Sequence, residues 1–214
     1  NIGALPTLAQ EGDLLYSDEL NHASLIDGCR LSKARRFVYR HNDLGHLESL
    51  LKGHGCLRGR RLIVTESVFS MEGDLCPLPG LLELADRYGA LVYLDEAHAV
   101  GVFGRRGTGL VEFFQERGEC CETSCLIQMG TLGKALGSYG AFVAGPRSLK
   151  DLLINKARSF IFTTALPPAA LGASLAAVKI VEIEAWRREK LWGFVKKLGG
   201  ISPIFSLILP SPRR

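Results

Sequence analysis

Lys134 lies in the run MGTLGKALGSYG (residues 129–140), among glycines and small residues with no acid in the run to neutralise it. A glycine-flanked lysine can serve a phosphate-cradling loop. Such a loop needs a Gly five residues before the one that precedes the lysine, and a Ser or Thr directly after it. Those positions hold Gln128 and Ala135. The flanking runs CLIQM and AFVAG instead read as two buried strands. They place Lys134 in a cleft, where desolvation lowers its pKa and makes it a nucleophilic amine. Asp95 follows LVYL, at the predicted carboxyl end of another strand, and His98 comes three residues later.

Residues 95–98 spell Asp-Glu-Ala-His, the box of a helicase-type NTPase, but that reading requires a phosphate loop N-terminal to the acid, and the sequence has none. Taken singly, Asp95 reads as a strand-end cap and His98 as a solvated loop residue. Taken with Lys134 they describe one cofactor, pyridoxal phosphate. It needs a lysine to form an imine and an acid to keep its ring nitrogen protonated, so that electrons from a broken bond flow into the ring.

The elements that must carry these residues alternate. DLLYS, RRFVYR, RLIVTESVF, ALVYLDEAH, CLIQMG and GAFVAG read as strands; HASLIDGCRLS, DLGHLESLLKG, PGLLELADRYG and RSLKDLLINKA read as amphipathic stretches. Leu81, Leu82, Leu84, Ala85 and Tyr88 share one helical face, and Gly89 suits the C-terminal cap. ALVYL is a nearly continuous apolar run of the kind found in strands covered on both faces. The alternation predicts an α/β fold with a mainly parallel sheet and a ligand site at the carboxyl ends of its strands. A long helix is predicted from about Pro168 to Leu198, with ISPIFSLILP as a strand opening another unit.

Composition narrows the function classes. The 47% hydrophobic and 22% charged residues of this 214-residue chain suit one large globular core. A net charge of +4, with basic residues scattered and not interleaved with aromatics, argues against nucleic-acid binding. No apolar stretch reaches the ~18 to 20 residues of a membrane span. The six cysteines include no C-x-x-C pair, and Cys120, Cys121 and Cys125 have no histidine nearby to complete a zinc site, so reduced thiols and a cytoplasmic location are expected. The start at Asn1, without a Met or a charged leader, reads as an internal piece of something longer.

DELNHASLIDG, RHNDLGHLESLL, TESVFSMEGDLCPLPGLLELADRYGA, YLDEAHAVGVFGRRGTG, IQMGTLGKALGSYGAFVAG and RSFIFTTALPPA together resemble the α-oxoamine synthases, pyridoxal-phosphate acyltransferases with the aspartate aminotransferase fold (fold type I). The resemblance runs over nearly all of residues 1 to 208. It implies that Lys134 is the Schiff-base lysine and Asp95 the partner of the pyridine nitrogen. His98, helped by Ser70, would hydrogen-bond the phenolic oxygen, His22 would stack on the ring face, and Thr131 would hold the phosphate. Glu66 matches the family without an assignable role. The implied reaction is the decarboxylative condensation of an amino acid with an acyl thioester. The nearest branch uses alanine and a pimeloyl thioester; sister branches use glycine or serine. In this chemistry the freed Lys134 amine removes the α-proton.

The resemblance further implies a homodimer and a division into a large cofactor-binding domain, residues 1–198, and the start of a small domain, residues 199–214. Two parts of the family pattern are absent: an upstream turn for the cofactor phosphate, of which only Asn1 matches, and a downstream arginine for the substrate carboxylate. A truncated, non-catalytic remnant therefore stands beside the acyltransferase as the second expectation.

Overall fold

The computed structural model describes residues 1–119 and 124–206. In chain order the elements are α1 (Leu5–Leu8), β1 (Leu14–Asp18), α2 (Ala23–Leu31), β2 (Arg35–Tyr39), α3 (Leu44–Gly53), β3 (Arg61–Glu66), α4 (Leu78–Arg87), β4 (Ala90–Asp95), α5 (Leu110–Gln115), β5 (Leu126–Thr131), β6 (Ala141–Ala144), α6 (Arg147–Lys156), α7 (Arg158–Ile161), α8 (Pro168–Ile183) and α9 (Ala185–Lys197). The strands form one sheet in the order β2-β1-β3-β4-β5-β6. All pairs are parallel except β5 with β6.

Alternate residues of β1, β3, β4 and β5 feed two cores. Leu15, Val64, Tyr93, Ile127 and Met129 pack with Leu5 of α1, Leu25 of α2 and Leu149 of α6. Tyr16, Ile63, Val92, Leu94 and Leu126 pack with Leu47 and Leu51 of α3, Leu81 and Leu84 of α4, and Leu110 of α5. This two-sided burial is why the central strands read as apolar runs without alternation. Helix α4 buries the predicted face, Leu81, Leu82, Leu84 and Ala85, and the chain leaves it through Gly89 at φ +60°, a left-handed turn that costs glycine little. Ile63, fully buried at the middle of β3, tests the core: Ile63→Ala is expected to cost about 2–5 kcal/mol, read as a lowered urea midpoint. An unchanged midpoint would contradict the packing described.

Three sequence expectations are corrected. Strand β6 is not buried: it lies at the sheet edge, bonds only to β5, and leaves Ala141, Phe142 and Ala144 exposed. The ring of Phe142 folds over Gly130, where an added Cβ would meet it at 2.4 Å, so that glycine permits the strand pairing beneath an aromatic ring.

The long helix from Pro168 to Leu198 is two helices, broken at Glu184, whose φ of −109° and ψ of 60° leave the helical region. The break lets α9 turn back on the body of the fold. Arg188 donates from Nη1 to the Val181 carbonyl at 2.6 Å and from Nη2 to the Arg105 carbonyl at 2.5 Å, and Trp192 Nε1 donates to the Val102 carbonyl at 3.0 Å. Residues 201–206 form no strand; Ser202 Oγ donates to the Gly73 carbonyl at 2.6 Å and Ile204 packs on the core, so local docking replaces sheet pairing. The rest of ISPIFSLILP lies outside the described residues, as do Cys120 and Cys121.

Candidate active site

The parallel strands β1, β3, β4 and β5 point their carboxyl ends the same way, and each delivers part of one cluster. Asp95 is the last residue of β4 and is buried, with its Oδ1 accepting from the Ala97 amide at 2.9 Å and its Oδ2 from Asn1 Nδ2 at 2.7 Å. His98 stands in the turn that follows. Its Nε2 lies 2.6 Å from Nζ of Lys134, which occupies the bend after β5. While Lys134 is protonated it can only donate, so in that state Nε2 accepts and the ring proton of neutral His98 sits on Nδ1. Burial, and then the Lys134 charge, lower the His98 pKa, opposed by Asp95. His98 is therefore a neutral imidazole at neutral pH.

Lys134 departs from expectation in one respect. It is an exposed residue. Desolvation of its amine nonetheless lowers its pKa, against the opposing pull of Asp95 and Glu66. The amine is thus closer to its nucleophilic, unprotonated form than a free lysine.

His22 is the N-cap of α2, its Nδ1 accepting from the Ser24 amide at 3.2 Å and lying 2.8 Å from Ser24 Oγ. Its own amide donates to Glu66 Oε1. Ser70 reaches the cluster through its backbone amide, which supports the Glu66 carboxylate. The Thr131 hydroxyl, at the end of β5, donates to the Gly140 carbonyl at 3.1 Å and accepts from the Gly133 amide at 3.2 Å, shaping the loop that carries Lys134. Glu96, the second acid of the Asp-Glu-Ala-His tetrad, faces away from the cluster and accepts from the Leu110 and Val111 amides at 2.9 and 3.3 Å, capping α5.

Two further residues complete the cluster, Asn1 and Glu66. Asn1 bridges it, donating to Asp95 and to Ser24 Oγ (2.8 Å) while Tyr93 Oη donates to its side-chain oxygen at 3.1 Å. Glu66 closes β3 directly beside Asp95 in the sheet register, and the two carboxylates stand on one face. Burial first, and then the Asp95 charge, push Glu66 up from 4.5 to about 7. The folded state therefore binds this proton more tightly than the unfolded chain. The stabilisation it brings is full below about 4.5 and is lost as the pH rises through about 7. Glu66→Gln is expected to flatten the decline in urea midpoint across that window; an unaltered slope would contradict the assignment.

The cluster fits pyridoxal phosphate by its donor set. An accessible amine of lowered pKa faces the cleft, and the buried Asp95 carboxylate, with about four lone-pair sites of which two are used, has room for a ring N–H. Among the described residues no group of three His, Cys, Asp or Glu could hold a metal ion, and no helix is long and apolar enough to cross a membrane.

Residues 1–198 match the family described as Aminotransferase class I and II. The chain belongs to this family. Among the relatives of this aminotransferase-family chain, it is 52% identical over 182 residues to the 8-amino-7-oxononanoate synthase of Geobacter sulfurreducens, covering 85% of this chain and 45% of that protein. Solved structures of named enzymes share its fold. The 8-amino-7-oxononanoate synthase of Francisella tularensis superposes with a TM-score of 0.77 at 34% identity, covering 91% of this chain and 54% of that one. A serine palmitoyltransferase from S. paucimobilis, solved with PLP and myriocin bound, gives 0.80 at 31% identity, covering 92% and 52%. The chain spans about half the length of the curated relatives it matches.

Proposed function

We propose that this chain is the cofactor-binding part of a pyridoxal-phosphate acyltransferase that condenses L-alanine with a pimeloyl thioester to give 8-amino-7-oxononanoate, a step of biotin biosynthesis. The observation that carries the reading is the meeting of Lys134, His98, Asp95 and His22 at one end of one sheet, on residues about half identical to enzymes of that name. The serine-using alternative draws on the more distant palmitoyltransferase likeness and the glycine-using one on the family resemblance alone; the substrate test below decides among them.

In this reading Lys134 would hold the cofactor through its amine, Asp95 would pair with the ring nitrogen, His98 and Ser70 would hold the phenolic oxygen, and His22 would lie on the ring face. Thr131 would turn its hydroxyl from Gly140 toward the phosphate. Bound there, pyridoxal phosphate supplies an electron sink for a carbanion at the amino-acid α-carbon. Lys134 then works as a base. Its lowered pKa brings it closer than a free lysine to the unprotonated form that would take the α-proton, and the same amine would return one to the product carbon. His98, neutral and bonded to Lys134, can orient the amine without adding a competing charge.

Residues 1–198 would form the large domain and 199–214 lead into a further one. The exposed Phe160, Phe162, Leu171 and Leu175 support association with a second copy. The test of substrate class replaces the matching segment of a curated relative with residues 1–198 and follows thiol release from pimeloyl-CoA. Release that depends on L-alanine is expected. A preference for glycine or serine would overturn the alanine assignment, and no release with cofactor bound would favour the non-catalytic alternative.

A further inference from the structure

Glu66 is 3% exposed, touches three parts of the cluster and has no place in the chemistry above. It is held where it stands. Ser67, the next residue, donates from both its amide (2.9 Å) and its hydroxyl (3.1 Å) to the Asp95 carbonyl, fixing the ends of β3 and β4 together. The turn into α2 is tied to the same strand: Asn21 Nδ2 donates to the Val64 carbonyl at 2.8 Å, and the His22 amide donates to Glu66 Oε1. The N-terminus of the helix that carries His22 therefore hangs on β3 at two consecutive points. The second of them is a carboxylate buried where a neutral side chain would cost less to desolvate. Such a group calls for a role in which the charge itself matters.

We infer that Glu66 is a positioning residue: its carboxylate anchors the backbone of His22 and, standing beside Asp95, acts as the second anion that holds the Lys134 amine in the cleft. The titratable groups facing it are Asp95 from β4, Lys134 from the loop after β5 and His22 at the start of α2, with His98 beyond Lys134. Of these Lys134 is the group of opposite charge when protonated, so the anion at Glu66 acts chiefly on that amine. Its own ionisation, lying near neutrality, makes the hold pH-dependent. As the pH rises through about 7, Glu66 gains charge and opposes loss of the Lys134 proton.

The inference rests on the proposed site, and its test works on the cofactor-free 214-residue chain so that the two can fail separately. Amide exchange at His22 is followed by NMR, and the pH dependence of reductive methylation at Lys134 by mass spectrometry. Glu66→Ala is expected to speed His22 exchange about ten-fold or more, the factor carried by a hydrogen bond to a charged group. Glu66→Gln keeps an acceptor oxygen and is expected to retain most of that protection, yet to displace the Lys134 methylation midpoint to lower pH. A purely structural role would leave that midpoint in place. In the unaltered chain, the His22 amide proton and the Glu66 carboxyl carbon are expected to titrate together. Unchanged His22 exchange in Glu66→Ala, an unmoved Lys134 midpoint in Glu66→Gln, or independent titration in the unaltered chain would each overturn the inference.

Discussion

Lys134→Ala is expected to abolish the visible absorbance that pyridoxal phosphate develops on binding and to lower turnover of the grafted enzyme at least about 10³-fold to 10⁴-fold. Both losses have one source. The amine is the only one that the fold brings against His98 among the described hydrogen bonds, and its pKa is lowered by desolvation against the opposing charges of Asp95 and Glu66. In the proposed role, alanine would remove the covalent hold and the base together, without disturbing the buried core, since Lys134 is exposed. An unaltered melting temperature with both activities gone is the expected signature. Retained turnover would mean that another base serves the α-carbon.

Asp95→Asn separates holding from chemistry. Asn keeps one acceptor oxygen, so the bond from Asn1 or that from the Ala97 amide can persist and the end of β4 keeps its shape. An amide does not hold a ring nitrogen protonated. Losing one partner of a buried charged pair typically costs ~3 to 5 kcal/mol, about 10² to 10³-fold or somewhat more in rate. Exchange of the alanine α-proton with solvent deuterium is therefore expected to slow by that factor while the cofactor stays attached at Lys134. Near-normal exchange would remove Asp95 from its role.

The fold was legible where burial is decided locally. The runs around β1, β3 and β4 are apolar because each is covered on both faces, and the α4 stripe has a single buried side, so periodicity reports them correctly. It misreads β6, whose AFVA is as apolar as a buried strand but sits at an edge, a fact of topology that its letters do not carry. The break at Glu184 was hidden for a similar reason: nothing in EIEAW forbids a helix, and the turn exists because Arg188 and Trp192 find partners on the 102–105 loop.

The site divides along the same line. Asp95, His98 and Lys134 announce themselves by residue type at strand ends. Glu66 and Asn1 gain their meaning from contacts spanning 44 and 94 positions of sequence, from Glu66 to His22 and from Asn1 to Asp95, which no local pattern encodes. Register offers one signal that could have found Glu66: once β3 and β4 are paired in parallel, TE and LD end level, and two acids side by side at the carboxyl edge mark a site.

Whether this cluster holds pyridoxal phosphate through Lys134 is decided by fixing the cofactor where it binds. The 214-residue chain is saturated with pyridoxal phosphate, reduced with borohydride, digested and mapped by mass spectrometry. The cofactor's mass is expected on the peptide carrying Lys134 and is expected to be missing from the digest of Lys134→Ala. Cofactor fixed on other lysines with Lys134 unlabelled, or labelling undiminished in Lys134→Ala, would contradict it.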